Sequence, residues 1–218
     1  MIKTILITLF AVGITGCASD PFPRATNTQK GAVIGALGGA AVGAAVSKNK
    51  GKGALLGAIG GGLAGGGVGY YMDRQKQDLE KVLAPERQTG AIDIDKLPDN
   101  TLKITMTNQT AFDVNSADVK SGFHSTMDKL AQVMNKYGKT TLTIMGHTDS
   151  DGSAQYNQDL SQRRAFAVQQ AFVQRSVIPE RLSAIGKGES EPRASNSTES
   201  GKQLNRRVEI FVEPVVEG

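Results

Sequence analysis

Glycine recurs at every fourth position through much of the N-terminal third of this 218-residue chain. Gly31, Gly35, Gly39 and Gly43 form one series, and Gly53, Gly57, Gly61, Gly65 and Gly69 form a second. On a helix this period stacks the glycines on one flat face, where a second backbone can approach closely, as in the pairing of membrane helices. In water the same series makes a poor helix, because each glycine costs about 1 kcal/mol relative to alanine. A flexible linker is glycine-rich too, but it needs no period. The segments 31–47 and 53–72 contain no charged residue and are joined by a turn bearing Lys48, Lys50 and Lys52. The pattern therefore predicts a membrane-associated helical hairpin over residues 31–72, either spanning the bilayer or lying within it. Spanning takes about 20 apolar residues, and the first segment barely suffices. Tyr70 and Tyr71 at the exit suit a membrane–water boundary. The flat face leaves self-association into a homo-oligomer open.

The start of the chain agrees with this placement. Met1-Ile2-Lys3 and the apolar run over residues 4–12 read as a signal peptide covering residues 1–16. It ends at Ile14-Thr15-Gly16-Cys17, which resembles a bacterial lipobox. That resemblance implies acylation of Cys17, which becomes the mature N-terminus, and Ala18 after it implies sorting to the outer membrane. Two or more acyl chains anchor firmly, whereas one binds reversibly. Cys17 is the only cysteine, so no intramolecular disulfide can form. Residues 17–30, with Pro21 and Pro23, read as a lipidated tether.

Past residue 72 the periodicities become those of a water-soluble α+β domain. Residues 73–83 predict a polar helix that stops before Pro85, with a linker to residue 89. Residues 91–95 and 102–106 alternate as strands around a turn at Pro98-Asp99-Asn100. Phe123, Met127, Leu130, Met134 and Tyr137 form a helical stripe closed by Gly138. Residues 140–144 read as a buried strand, and residues 154–175 as a helix with Leu160, Val168, Ala171 and Phe172 on its apolar face. Residues 184–187 and 208–212 add strands, and the polar stretch 189–201 reads as a surface loop. The alternation predicts a two-layer α/β sandwich with a βαβαβ core, one sheet with helices on one face.

Within it, one stretch carries chemistry. Gly146-His147-Thr148-Asp149 follows the buried strand, and Arg164 lies on the apolar stripe of the next helix, four residues from both Leu160 and Val168. A guanidinium on a core-facing stripe is costly unless an anion meets it. The bland account is a structural salt bridge to Asp149. The sharper one is a site with separate anionic and cationic heads, suited to a ligand bearing both an ammonium and a carboxylate.

These residues resemble a known family. Gly146-His147-Thr148-Asp149, Gly152, Asn157, Leu160-Ser161, Arg164-Ala165 and Asn205-Arg206-Arg207-Val208-Glu209 are similar to the OmpA-like peptidoglycan-binding domain, over residues 90–218. Lys52-Gly53-Ala54-Leu55-Leu56-Gly57 and Gly67-Val68-Gly69-Tyr70-Tyr71-Met72-Asp73 resemble the glycine-zipper segment of OmpA-family lipoproteins of the YiaD type. The resemblance implies that Asp149 and Arg164 hold the diaminopimelate of the peptidoglycan stem peptide. Asp113, in Ala111-Phe112-Asp113-Val114-Asn115, matches the family's Phe-Asp segment at the pocket, and Asn157 and Leu160 fall on its motif positions. For Asp113 a plain helix-entry role is an equal alternative. Ser150-Asp151 adds a second acid beside the site.

Other classes fit less well. The net charge is only +4, and neither an RNA-reading aromatic platform nor zinc-finger spacing is present, which argues against nucleic acid. His124 and His147 lack the spacing of a zinc site, so no metal or other cofactor is expected. His147 has no nucleophile elbow to serve, and Asp149 and Asp151 sit too close in one loop to oppose each other as catalytic carboxylates. The sequence thus predicts a non-enzymatic protein joining an outer membrane to peptidoglycan, with its C-terminal domain in the periplasm. The alternative is a membrane-structural glycine-zipper protein that oligomerises, with the wall domain positioning it.

Overall fold

The computed structural model describes residues 55, 63, 67–107, 111–113 and 116–216. The expected signal peptide, Cys17, the tether over 17–30 and nearly all of the glycine hairpin lie outside the described residues.

Two helices open the ordered part, α1 (Val68–Val82) and α2 (Ala84–Gln88). The break between them falls where Pro85 forbids continuation; the chain resumes as a helix because proline fits a first turn. Strands β1 (Ile92–Lys96) and β2 (Leu102–Thr107) pair antiparallel across a turn in which Asn100 takes φ 68° and Asp99 Oδ1 accepts the Thr101 N–H at 3.0 Å. Helix α3 (His124–Lys136) follows a single 3-10 turn, then β3 (Thr140–His147), α4 (Ala154–Val173), β4 (Leu182–Gly186), α5 (Glu199–Asn205) and β5 (Arg207–Pro214). The sheet order is β1-β2-β5-β3-β4, with β3 and β4 parallel and the other pairs antiparallel.

All five strands expected from the sequence are present, and the register assigns their faces. Leu142 pairs with Val212, and Ile144 with Ile210; on β2, Leu102 and Ile104 oppose the same two β5 residues. These residues, with Ile92, Ile94, Met106 and Val208, turn inward and are buried. Against them pack Phe123, Met127, Leu130 and Met134 from the α3 stripe, and Ala165, Val168, Ala171 and Phe172 from α4. At about 25 cal/mol per Å² of apolar surface, this shared core is the main source of stability.

The core also extends upstream of residue 90. Val68, Met72 and Leu79 of α1 are buried, the Gln75 amide reaches Met134 Sδ, and Asp78 accepts from Lys136 and Tyr137 at 2.6 and 2.7 Å. The helix expected from residue 73 therefore begins five residues earlier. Its first turn buries Val68 and Met72, and the apolar face it shares with α3 lengthens it. Tyr71, expected at a membrane boundary, instead packs edge-to-face on Tyr137 with 5.2 Å between centroids and accepts the Lys139 N–H. Leu63 N–H donates to Val215 O at 2.6 Å, joining the chain just before α1 to the end of β5.

Two glycines fix how closely α4 lies on the sheet. A Cβ on Gly146 would sit 2.2 Å from Ser161 O, and one on Gly186, its partner on β4, 2.6 Å from Gln162 N. Only glycine at both positions lets the helix settle here. Along the outer side of β4, three glutamines of α4 reach over the strand. Gln158, Gln162 and Gln169 donate to the carbonyls of Gly186, Ala184 and Leu182, and Gln162 Oε1 accepts the Gly186 N–H at 2.7 Å.

Candidate ligand-binding site

The close approach of α4 brings two predicted residues to one end of the sheet. Asp149 follows the last residues of β3 in a tight loop. Its Oδ1 accepts the Asp151 N–H at 3.1 Å, Gly152 takes φ 97°, and Ser153 caps α4 by accepting the Tyr156 N–H. A left-handed φ at that position calls for glycine. Arg164 sits in the third turn of α4 and is only 3% exposed. Its guanidinium donates to Ser116 O at 2.9 Å and to Asp113 O at 3.4 Å, and lies 5.5 Å above the Phe112 ring. Burial pushes its pKa below the usual arginine value, with the Tyr156 hydroxyl and the Asp149 carboxylate opposing that push. Among the described residues its hydrogen-bond partners are neutral backbone carbonyls.

Asp149 and Arg164 do not form the salt bridge that the bland account requires. The ion-pair partner of Asp149 is Arg206, at 2.5 Å. The two heads share one end of the fold, the Asp149 charge acting on Arg164 with no bond between them. Such an arrangement can meet an anion at Arg164 and a cation at Asp149 separately.

The other predicted residues take different positions. The Asp113 side chain is exposed and pairs with Lys120 at 3.1 Å; its backbone carbonyl is the part that meets Arg164. Asn157 is buried and donates to Glu189 Oε2 at 2.6 Å, tying α4 to the loop after β4. Leu160 is buried on the α4 face between these residues. His147 packs beside the site on the sheet face away from the helices, paired in register with Arg207. The stretch expected as a loop over 189–201 turns helical at Glu199, because Thr198 caps α5 by accepting the Gly201 N–H. Asn205 holds the preceding loop, accepting from Arg193 and Ala194 N–H and donating to Ala194 O.

Three further residues matter that sequence reasoning did not assign to the site. Tyr156 lies one turn before Leu160 and is partly exposed near Arg164. Glu199 and Arg206 come from the far end of the chain; Arg206 reaches Asp149 because the pairing of His147 with Arg207 sets the start of β5 against the end of β3. The motif contained Arg206, but its pairing with Asp149 follows only from that register.

His147 is 1% exposed, with Nε2 3.8 Å from Glu209 Oε2, while Glu209 Oε1 accepts from Arg207 Nε at 2.7 Å. Burial, with the Arg207 charge, pushes its pKa down to about 4, against the pull of Glu209 and Glu191. The unfolded chain holds this proton more readily, so native stability is full above about pH 6.5 and drains away as pH falls toward 4. Between pH 7 and pH 4.5 the loss from this residue alone amounts to about 2–3 kcal/mol. Urea unfolding of wild type and His147→Gln at both pH values tests it: the variant should lose that much less on acidification.

A two-layer sandwich with opposed charged heads at one end of its sheet defines an OmpA-type domain, and the OmpA family model matches residues 111–206. The model for the YMGG-like Gly-zipper matches residues 1–73. Probable lipoprotein YiaD of Escherichia coli (strain K12) is 40% identical over 210 residues, covering 94% of each chain. The chain belongs to the OmpA family, in the branch that joins this domain to a glycine zipper. Among solved structures, the cell wall anchor of the T6SS from Pseudomonas aeruginosa superposes with a TM-score of 0.58 at 27% identity, covering 64% of this chain and 99% of that one. A MotB-like protein from Desulfovibrio vulgaris shares the fold, with a TM-score of 0.60 at 20% identity over 69% of this chain and 94% of that one.

Proposed function

We propose that the protein is a non-enzymatic tether. It is an outer-membrane lipoprotein acylated at Cys17, and its periplasmic C-terminal domain binds peptidoglycan non-covalently through the diaminopimelate of the stem peptide. One observation carries this: a buried guanidinium, Arg164, whose hydrogen-bond partners among the described residues are neutral carbonyls, beside a carboxylate, Asp149, that it does not bind. The side-chain end of diaminopimelate bears a carboxylate and an ammonium on one carbon, which suits those two heads. Charge-assisted hydrogen bonds contribute roughly 1.5–3 kcal/mol each, enough to separate this diamino acid from lysine. Asn157 and Leu160 hold α4 in place beneath the ligand, and the Asp113 backbone borders it.

The names of relatives support the reading, since one is a probable lipoprotein and one is a cell wall anchor. The glycine-zipper match over residues 1–73 supports a membrane-associated N-terminal part. Catalysis by paired carboxylates is disfavoured, because Asp149 is held by Arg206 and Asp151 by Lys202 at 2.7 Å. Weak binding to each stem peptide suffices, because anchored copies face a polymer of many sites and effective concentration supplies the rest. Co-sedimentation of the full-length protein with purified sacculi tests the proposal. Diaminopimelate-type sacculi should pull the protein down and release no soluble fragments, with lysine-type sacculi at least about tenfold weaker. Equal capture by both types would refute the assignment.

A further inference from the structure

Asp149 already has a cation in the ligand-free protein. Arg206 Nη1 lies 2.5 Å from Asp149 Oδ2, and its Nη2 lies 2.6 Å from Glu199 Oε1. The guanidinium thus bridges two carboxylates in unlike surroundings. The Asp149 side chain is 10% exposed and the Glu199 side chain 66%. The Asp149 loop does not depend on this bridge alone. Lys202 pairs with Asp151 at 2.7 Å, and Asn196 Oδ1 accepts the Ser150 N–H at 3.3 Å. Oδ1 of Asp149 keeps its own bond from the Asp151 N–H. Arg206 can leave Asp149 while the carboxylate stays aimed and Glu199 still holds the arginine.

We propose that Arg206 sets the affinity threshold of the site: it neutralises Asp149 until the ligand's ammonium displaces it onto Glu199, so that a ligand binds well only when its carboxylate also gains at Arg164. This rests on the peptidoglycan reading above. An ammonium arriving alone exchanges one ion pair at Asp149 for another and gains little. A ligand that also brings a carboxylate gains at Arg164, whose partners among the described residues are backbone carbonyls. The displacement lowers both affinities alike, and the contact at Arg164 carries the difference between them. Arg206 is not left unpaired once it gives up Asp149, because its bond to the exposed Glu199 persists.

Calorimetric titration of the full-length protein in detergent micelles tests this with two soluble stem tetrapeptides. One contains diaminopimelate; the other has lysine in its place, with the ammonium but no carboxylate. Wild type should prefer the first. In Arg206→Gln both peptides should gain about tenfold in affinity, with the preference kept. Glu199→Gln removes the resting place of the arginine and should act the other way, weakening the diaminopimelate peptide about threefold to tenfold with no gain for lysine. An unchanged or lower affinity of either peptide in Arg206→Gln overturns the proposal. Glu199→Gln leaves the Asp149 pair intact and so decides the matter even where Arg206→Gln folds poorly; an unchanged or higher diaminopimelate affinity there also overturns it. Arg164→Ala separates the two levels. If it binds the diaminopimelate peptide like wild type, the site itself is misassigned; if it does not, and Arg206→Gln leaves both affinities unchanged, only the role of Arg206 fails.

Discussion

Arg164→Ala in the full-length protein should lower retention on diaminopimelate-type sacculi by at least about thirtyfold, the loss of one or two charge-assisted hydrogen bonds. The fold should survive. Arg164 is bonded to two carbonyls of the 113–116 segment and stacked on Phe112, so its removal loosens that segment and leaves the sheet and the α3–α4 core untouched. Asp149→Ala should weaken binding similarly, by taking away the acceptor for the ammonium. The distinguishing measurement is a double-mutant cycle in urea. Residues braced by a mutual salt bridge would show strong coupling, whereas these two, lacking one, should add within about 0.5 kcal/mol. Arg164→Lys should also bind poorly, because a point charge cannot reproduce the planar fork's grip on a carboxylate. Retained binding in a folded Arg164→Ala protein would dismiss the site.

Arg181→Met should have the largest effect on stability, and none on binding by the fraction that remains folded. Arg181 is 2% exposed and lies far from Asp149 in role: its guanidinium serves the backbone. Nε donates to Thr140 O at 2.6 Å, Nη1 to Met134 O at 2.8 Å, and Nη2 to Tyr137 O at 3.1 Å and Thr140 Oγ1 at 2.9 Å. Met134 and Tyr137 end helix α3, where carbonyls lack intrahelical partners and a cation complements the helix dipole. Burial lowers the pKa of this arginine to about 10, still well above neutrality, so it is charged. Methionine would fill the space but take the guanidinium's donors from the Met134 and Thr140 carbonyls and leave Tyr137 O with the Thr140 hydroxyl. The expected loss is about 3–5 kcal/mol, read from the urea midpoint at constant slope. A loss below about 1 kcal/mol would show that other groups take over the carbonyls.

Arg181 also marks where legibility in the sequence ended. The strands and the two long helices were readable because apolar residues recur at periods two and 3.6, and Pro98-Asp99-Asn100 announced its turn. Asp149 and Arg164 were readable because an arginine on the stripe of Leu160 and Val168 needs an explanation. Arg181 offers no such signal: it follows Pro179-Glu180 as an ordinary surface residue would, and its burial depends on where α3 ends in space. The early start of α1 was hidden because Val68 to Met72 continue the glycine series, whose local pattern gives no hint that Met72 meets α3. Arg206 was visible in the motif but had no assigned partner, because its reach to Asp149 depends on strand register.

The glutamines along β4 have a consequence for crowded copies of the molecule. A strand at the margin of a sheet presents unpaired carbonyls and N–H groups that can template another chain. Here the carbonyls of Leu182, Ala184 and Gly186, and the Gly186 N–H, are already engaged by Gln169, Gln162 and Gln158 of the helix above. At the opposite margin, β1 carries Asp93, Asp95 and Lys96, charges that discourage strand-to-strand growth. Molecules concentrated side by side on a surface would therefore meet without a β-edge on which to polymerise, and a helix of this family member doubles as a guard against amyloid-like addition.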